Sequence, residues 1–161
     1  MQPAKTFEEL YIFQEARRMA VSIWKITRIR PFSADRVLRG QIRRAGLSIV
    51  SNIAEGFERG SRGEFGRFLK IAKGFCGEVR AQMLVAFDLN YISKRECEEF
   101  CSTTRHISAG LSKLTQYLSE REGKKDSRLI GYQIVSRALS TLLPFHYSTL
   151  PLLRFSAFEC A

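Results

Sequence analysis

The residue types that carry acid–base, nucleophilic or metal chemistry are sparse along this chain and poorly spaced for it. His106 has no Asp or Glu three or four places away, so on a helix it would lack the carboxylate that orients a catalytic imidazole. A solvated helix residue is expected there. Cys97 and Cys101 are four apart, which puts two thiols on one helical face. A closed zinc site takes about four ligands, and no others are spaced to join them, so small buried cysteines are expected. Ser48, Asn52 and Glu55 share a helical stripe at i, i+4 and i+7 within S-I-V-S-N-I-A-E-G-F, residues 48–57. That stripe borders an apolar one and suits a buried hydrogen-bond network or a subunit contact. Glu55 has no activated nucleophile or metal cluster beside it. The glycine-rich piece G-F-E-R-G-S-R-G lacks the lysine and spacing of a phosphate loop. No catalytic residue, metal site, cofactor or small-molecule substrate is expected, and the chain is not expected to be an enzyme.

The charge is more informative. The chain of 161 residues carries a formal net charge of +10, with a pI near 9.8. Such a balance favours a polyanionic partner. From Arg28 to Arg80 there are 12 basic and 5 acidic residues, so nearly all the excess of residues 1–126 lies on one central segment. Arg36, Arg39 and Arg43 share a helical face with Arg44 beside it, and Arg67, Lys70 and Lys73 make a second stripe, with Arg59 and Arg62 at the turn between. A segregated basic face can neutralise several phosphates and release their counterions. Phosphate contacts position a nucleic acid without reading its sequence, and no base-reading module is recognisable. Arg59 and Arg62 also stand where a helix start offers free N–H groups to a phosphate. The competing reading is a face that docks an acidic protein.

Four amphipathic segments must position these residues. The first spans about Phe7–Arg28, opened by a Thr6/Glu9 capping box and stopped by Pro31. Its apolar positions include Phe13, Ala16, Ala20, Ile23 and Trp24. The second starts after Ser33, with Phe32 and Val37 as a hydrophobic staple. Val37, Leu38, Ile42, Ala45, Ile49 and Ile53 line one face, and Gly56 and Gly60 mark its end, Gly60 more strongly. The third opens with Ser61/Glu64, repeats Phe65, Phe68, Leu69, Ala72, Cys76, Val79, Met83 and Phe87, and stops at Asn90. The fourth opens with Ser93/Glu96 and carries Phe100, Ile107, Leu111, Leu114 and Leu118 before Gly123. Long helices joined by short loops must run antiparallel. The fold class is therefore all-α, an up-down four-helix bundle over residues 1–126.

Residues 127–161 differ. Ser, Leu and Phe dominate, only Arg128, Arg137, Arg154 and Glu159 are charged, and Pro144 and Pro151 interrupt the run. A fifth helix over about Ile130–Leu143, an appended segment from readthrough or frameshift, a membrane-touching segment and an oligomer contact all fit this composition. The N-terminus M-Q-P-A-K-T-F-E-E-L has no apolar h-region, so reduced cysteines and a cytoplasmic location are expected.

The stretch from Gln41 to Gly74, with S-x-x-x-N-I-A-E-G followed by S-x-x-E-F-x-R-F-L, resembles the bacterial four-helix-bundle family encoded in 23S ribosomal RNA intervening sequences. F-E-E-L-Y-I-F-Q-E-A from Phe7 and L-N-Y-I-S from Leu89 fit the same pattern, and the resemblance covers about residues 6–122. It implies an up-down bundle assembled into a homopentamer, without established enzymatic activity, whose basic surface suggests nucleic-acid binding, RNA in preference to DNA. A related branch serves diversity-generating retroelements as an accessory protein that binds the reverse transcriptase. Phe75-Cys76 departs from the small residues common there, and the tail after Gly123 has no counterpart. Three functions follow as expectations: a nucleic-acid-binding oligomer, an accessory subunit of a reverse transcriptase, or a purely structural oligomer.

Overall fold

The structure, a computed structural model, describes residues 4–122. The expectations for the tail lie outside the described residues. Four α-helices run up and down: α1 (Tyr11–Ile26), α2 (Arg36–Glu58), α3 (Arg62–Asp88) and α4 (Lys94–Glu122). Short 3-10 turns at Phe7–Glu9 and Phe32–Ala34 precede α1 and α2. α3 packs most extensively, against α2 on one side and α4 on the other, and α1 lies more on α2 than on α4. Among the described residues no strand is present, and no helix is long and apolar enough to cross a membrane.

Of the two later capping boxes, the one at α3 makes only its serine half and the one at α4 forms in full. Ser61 Oγ accepts from the Glu64 N–H at 3.2 Å. At the start of α4 the exchange is reciprocal: Ser93 Oγ accepts from the Glu96 N–H, and Glu96 accepts from the Ser93 N–H and hydroxyl, both at 2.7 Å. The first box does not form. Glu9 instead takes the Lys5 N–H at 2.8 Å, Thr6 caps nothing with its side chain, and Leu10 turns extended to bury itself in the core. α1 therefore begins at Tyr11, four residues after the expected start.

The start of α2 also moves. Phe32 is fully buried, and seating its ring draws residues 32–34 into a 3-10 turn. The cap passes from Ser33 to Asp35, whose Oδ1 accepts from the Leu38 N–H at 2.9 Å. With this register Val37 points outward and is 76% exposed, so the staple with Phe32 is not made. The helix stops are as expected: Gly60 and Asn90 both adopt positive φ, at 73° and 57°, the left-handed conformation that ends a helix.

The core is one cluster drawn from all four helices, including Ile23, Ile42, Ile49, Ile53, Phe65, Leu69, Met83, Ile107 and Leu111. Phe87, expected in the α3 stripe, is 37% exposed, and Ala86 takes the inward position at the end of that helix. Gly56 lies inside α2, not at its end. A Cβ there would stand 2.5 Å from Phe68 Cβ and 3.0 Å from Phe65 Cδ2. A Cβ at Gly46 would crowd the far end of Ile23, Cδ1 at 2.8 Å, and meet the Ala20 Cα at an ordinary 3.9 Å.

This difference sets a test. Overpacking a stiff contact costs about 1–3 kcal/mol, while Gly to Ala in a helix returns up to about 1 kcal/mol. Gly56→Ala should lower the unfolding midpoint in urea. Gly46→Ala should leave it near the parent, because the end of Ile23 can move. Equal midpoints for the two variants would show that the α2–α3 approach is not tight.

Candidate nucleic-acid interface

The predicted basic residues do not form one continuous face. α2 divides its arginines between two directions. Arg36 and Arg44 are exposed. Arg39 and Arg43 are half-buried and tied to the α1–α2 junction. Arg39 Nη1 donates to the Ser33 carbonyl. Arg43 Nε donates to Thr27 Oγ1 at 2.8 Å, and its guanidinium lies 4.9 Å from the Trp24 ring centroid. Thr27 is itself fully buried and donates to the Ile23 carbonyl at 2.7 Å, so its hydroxyl links the last turn of α1 to α2. Burial lowers the pKa of Arg43, and the like charges of Arg39 and Arg28 lower it further.

At the α2–α3 turn, charge is cancelled within the chain. Arg59 pairs with Glu55 at 2.8 Å and approaches Glu64 at 4.0 Å. The hydrogen bond and charge of Glu55, then the charge of Glu64, raise its pKa. Its guanidinium lies 5.4 Å from the Phe68 ring centroid, and Arg67 lies 5.1 Å from the same ring. Arg62 is half-buried on the first turn of α3. Beyond the turn Arg67, Lys70 and Lys73 are exposed along α3. Arg36, Arg44, Arg67, Lys70 and Lys73 form no ion pair among the described residues, so their charge reaches solvent undiminished.

The polar stripe on α2 is not one buried network. Asn52 donates to the Ser48 backbone carbonyl at 2.7 Å, an interaction inside the helix. Glu55, exposed, turns to Arg59. The i, i+4, i+7 spacing aligned the three residues, but α2 rotates the far end of the stripe into solvent.

The reactive side chains that the sequence singled out are packed. His106 is half-buried, edge-on to Tyr11 with ring centroids 6.3 Å apart, and is not the solvated residue expected. Cys97 and Cys101 are buried as expected, with Cys97 Sγ donating to the Met83 carbonyl at 3.7 Å. Burial pushes the Cys97 thiol up to about 11, with neighbouring Cys101 adding to it. Burial likewise pushes Cys76 up to about 12.

Arg28 and Trp24 belong to the charged surface, and sequence reasoning did not place them there. Trp24 read as one more apolar position of the first helix. A usable signal was present: W-x-x-T-R closes that helix, and R-x-x-x-R opens the next across a short connection.

Fold and surface together define a small antiparallel four-helix bundle with a basic flank and no assembled reactive centre among the described residues. A family model described as 23S rRNA-intervening sequence protein matches residues 8–113, and the chain belongs to that family. Among solved structures, it is similar to a protein of unknown function from the S23 ribosomal protein family of Bacteroides thetaiotaomicron. The two are 24% identical, the match covers 65% of this chain and 95% of that one, and the TM-score is 0.61. That likeness shows the fold. No curated protein matches the chain.

The raised thiols give a direct check. In a Cys160→Ser chain, Cys76, Cys97 and Cys101 should resist alkylation at pH 8, because thiolate is the reactive form and is scarce and shielded. All three should react once the chain is unfolded in denaturant. Rapid labelling of the folded protein at any of the three would contradict the packing described.

Proposed function

We propose that this chain is a non-catalytic cytoplasmic protein that self-associates and binds nucleic acid, structured RNA in preference to DNA, through exposed cations of α2 and α3. The observation that carries the reading is the set Arg36, Arg44, Arg67, Lys70 and Lys73, exposed and without ion pairs among the described residues. Free guanidinium and ammonium groups on rigid helices can meet phosphates without first breaking internal pairs. Membership of a family described by an intervening sequence of 23S rRNA supports RNA as the polyanion. Arg59 contributes less than its sequence position suggested, since two carboxylates already neutralise it.

Self-association is supported by apolar side chains left in water. Ile29 lies just beyond α1, Val37 begins α2, Leu84 and Val85 lie in the last turns of α3 and Leu89 caps it, so the up-down topology gathers all five at one end of the bundle. All are large hydrophobics that the single chain leaves exposed. A second copy would cover this surface.

Two measurements test the proposal. If each of the five free cations meets one phosphate, affinity for a structured RNA should fall roughly 500-fold between about 50 and 200 mM salt. Changing the five to Glu should abolish binding while the helical circular dichroism persists; parent-like binding by that variant would end the reading. Light scattering at micromolar concentration should give a multiple of 18.4 kDa, five-fold if the family's assembly holds here. A clean monomer would remove self-association.

A further inference from the structure

At the α1–α2 junction one guanidinium lies over an indole, and two further arginines stand near that guanidinium. Arg28 and Arg39 stand close enough to Arg43 for their charges to act on it, and Arg43 rests on Trp24. Three like charges in one place repel, yet no carboxylate forms an ion pair with any of them among the described residues. The nearest acid in sequence, Asp35, is engaged elsewhere: Oδ1 caps α2 at the Leu38 N–H, and Oδ2 takes the Tyr91 hydroxyl at 3.4 Å. Such a cluster is stabilised by an anion supplied from outside.

The cluster is also held in place. Arg43 spends Nε on Thr27 Oγ1, and the indole supports the guanidinium plane. Its terminal nitrogens have no hydrogen-bond partner among the described residues. A guanidinium held this way loses little freedom when it meets an oxyanion. Trp24 is only half-buried, so part of an indole is presented beside the cations. An aromatic surface beside a cationic seat is the arrangement that takes a splayed base together with its phosphate. Bases inside a duplex are already stacked and cannot use it.

We propose that Arg28, Arg39, Arg43 and Trp24 form a seat for an unpaired nucleotide of a nucleic-acid strand, with the phosphate on the arginines and the base against the indole. This rests on the nucleic-acid reading above and adds a second contact region, on α1 and the start of α2, to the free cations. It narrows the ligand to single-stranded or looped segments.

Trp24 is the only tryptophan, so its fluorescence reports this seat alone. The full chain would be titrated with a ten-nucleotide single-stranded RNA, the same sequence as a duplex, inorganic phosphate and a poly-glutamate peptide. Fluorescence anisotropy of labelled RNA would measure occupancy independently. The single strand should quench Trp24 at saturation, and the duplex should bind with much weaker quenching. Phosphate and poly-glutamate should leave the emission unchanged at millimolar and micromolar concentration respectively. Trp24→Leu should weaken the single strand about tenfold and leave the duplex within twofold. Arg28→Ala, an exposed change, should weaken the single strand and reduce its salt slope by about one. Thermal melts of both variants check that they fold; if Trp24→Leu does not, Arg28→Ala and the parent titration decide. RNA that binds by anisotropy without quenching Trp24 would overturn the seat while leaving nucleic-acid binding intact. Equal quenching by single strand and duplex, or by poly-glutamate, would overturn it too. No anisotropy change with either RNA would overturn both readings.

Discussion

The close approach of α2 and α3 at Gly56 governs the geometry of the charged α2–α3 flank. A methyl group at that position would stand 2.5 Å from Phe68 Cβ, closer than two such carbons pack, so the absence of a side chain sets both the distance and the register of the two helices. The register places Phe68 under the turn, where Arg59 and Arg67 each lie against its ring. It also allows Arg59 to reach carboxylates on both helices, Glu55 and Glu64. A looser crossing would separate those groups and alter which cations remain free. The backbone contact thus decides the electrostatics of the α2–α3 flank, although no charged residue takes part in it.

A second constraint acts at the opposite end of the bundle. The α1–α2 connection must bury Phe32, and Thr27 must satisfy its hydroxyl within the last turn of α1. Both demands bring the start of α2 against the end of α1. Arg39 and Arg43 are carried along, and they find a backbone carbonyl, a hydroxyl and an indole as neighbours where carboxylates would have neutralised them. Buried charges without counter-ions cost stability. Here the cost is limited because the terminal groups keep access to water, and the same access leaves them available to an anion. One flank therefore holds solvated single charges along α3, and the other holds a concentrated cluster.

Much of the fold was legible because helix signals are local. The Ser61 cap, the Ser93/Glu96 box, the Gly60 and Asn90 stops and the core stripe from Phe65 to Met83 depend on neighbours within one or two turns, and each formed. Two of the three failures share a cause. Thr6/Glu9 had the spacing of a box, but burying Leu10 extended the chain at that point and deferred the helix. Ser33 had the chemistry of a cap, but burying Phe32 shifted the role to Asp35 and turned Val37 to solvent. Phe87 kept the period of its stripe and still lost the inward position to Ala86 at the helix end. At Leu10 and Phe32 a large side chain's demand for core volume overrode a pattern read a few residues at a time, whereas at the end of α3 the small Ala86 faces the core.

By itself, the sequence determined that this protein is an antiparallel bundle of four helices with its positive charge concentrated between Arg28 and Arg80. Apolar periodicity, caps and short connections are properties of adjacent residues, and net charge is a sum that folding does not change. Which cations stay free was decided only by the tertiary structure. That Arg59 is neutralised, that Arg43 rests on Trp24, and that Arg67, Lys70 and Lys73 stay exposed with no ion pair among the described residues depends on how helices rotate about their axes to fill the core. Helix rotation is set by the packing of side chains distant in sequence, so a helical stripe drawn on one segment cannot show what faces it from the next.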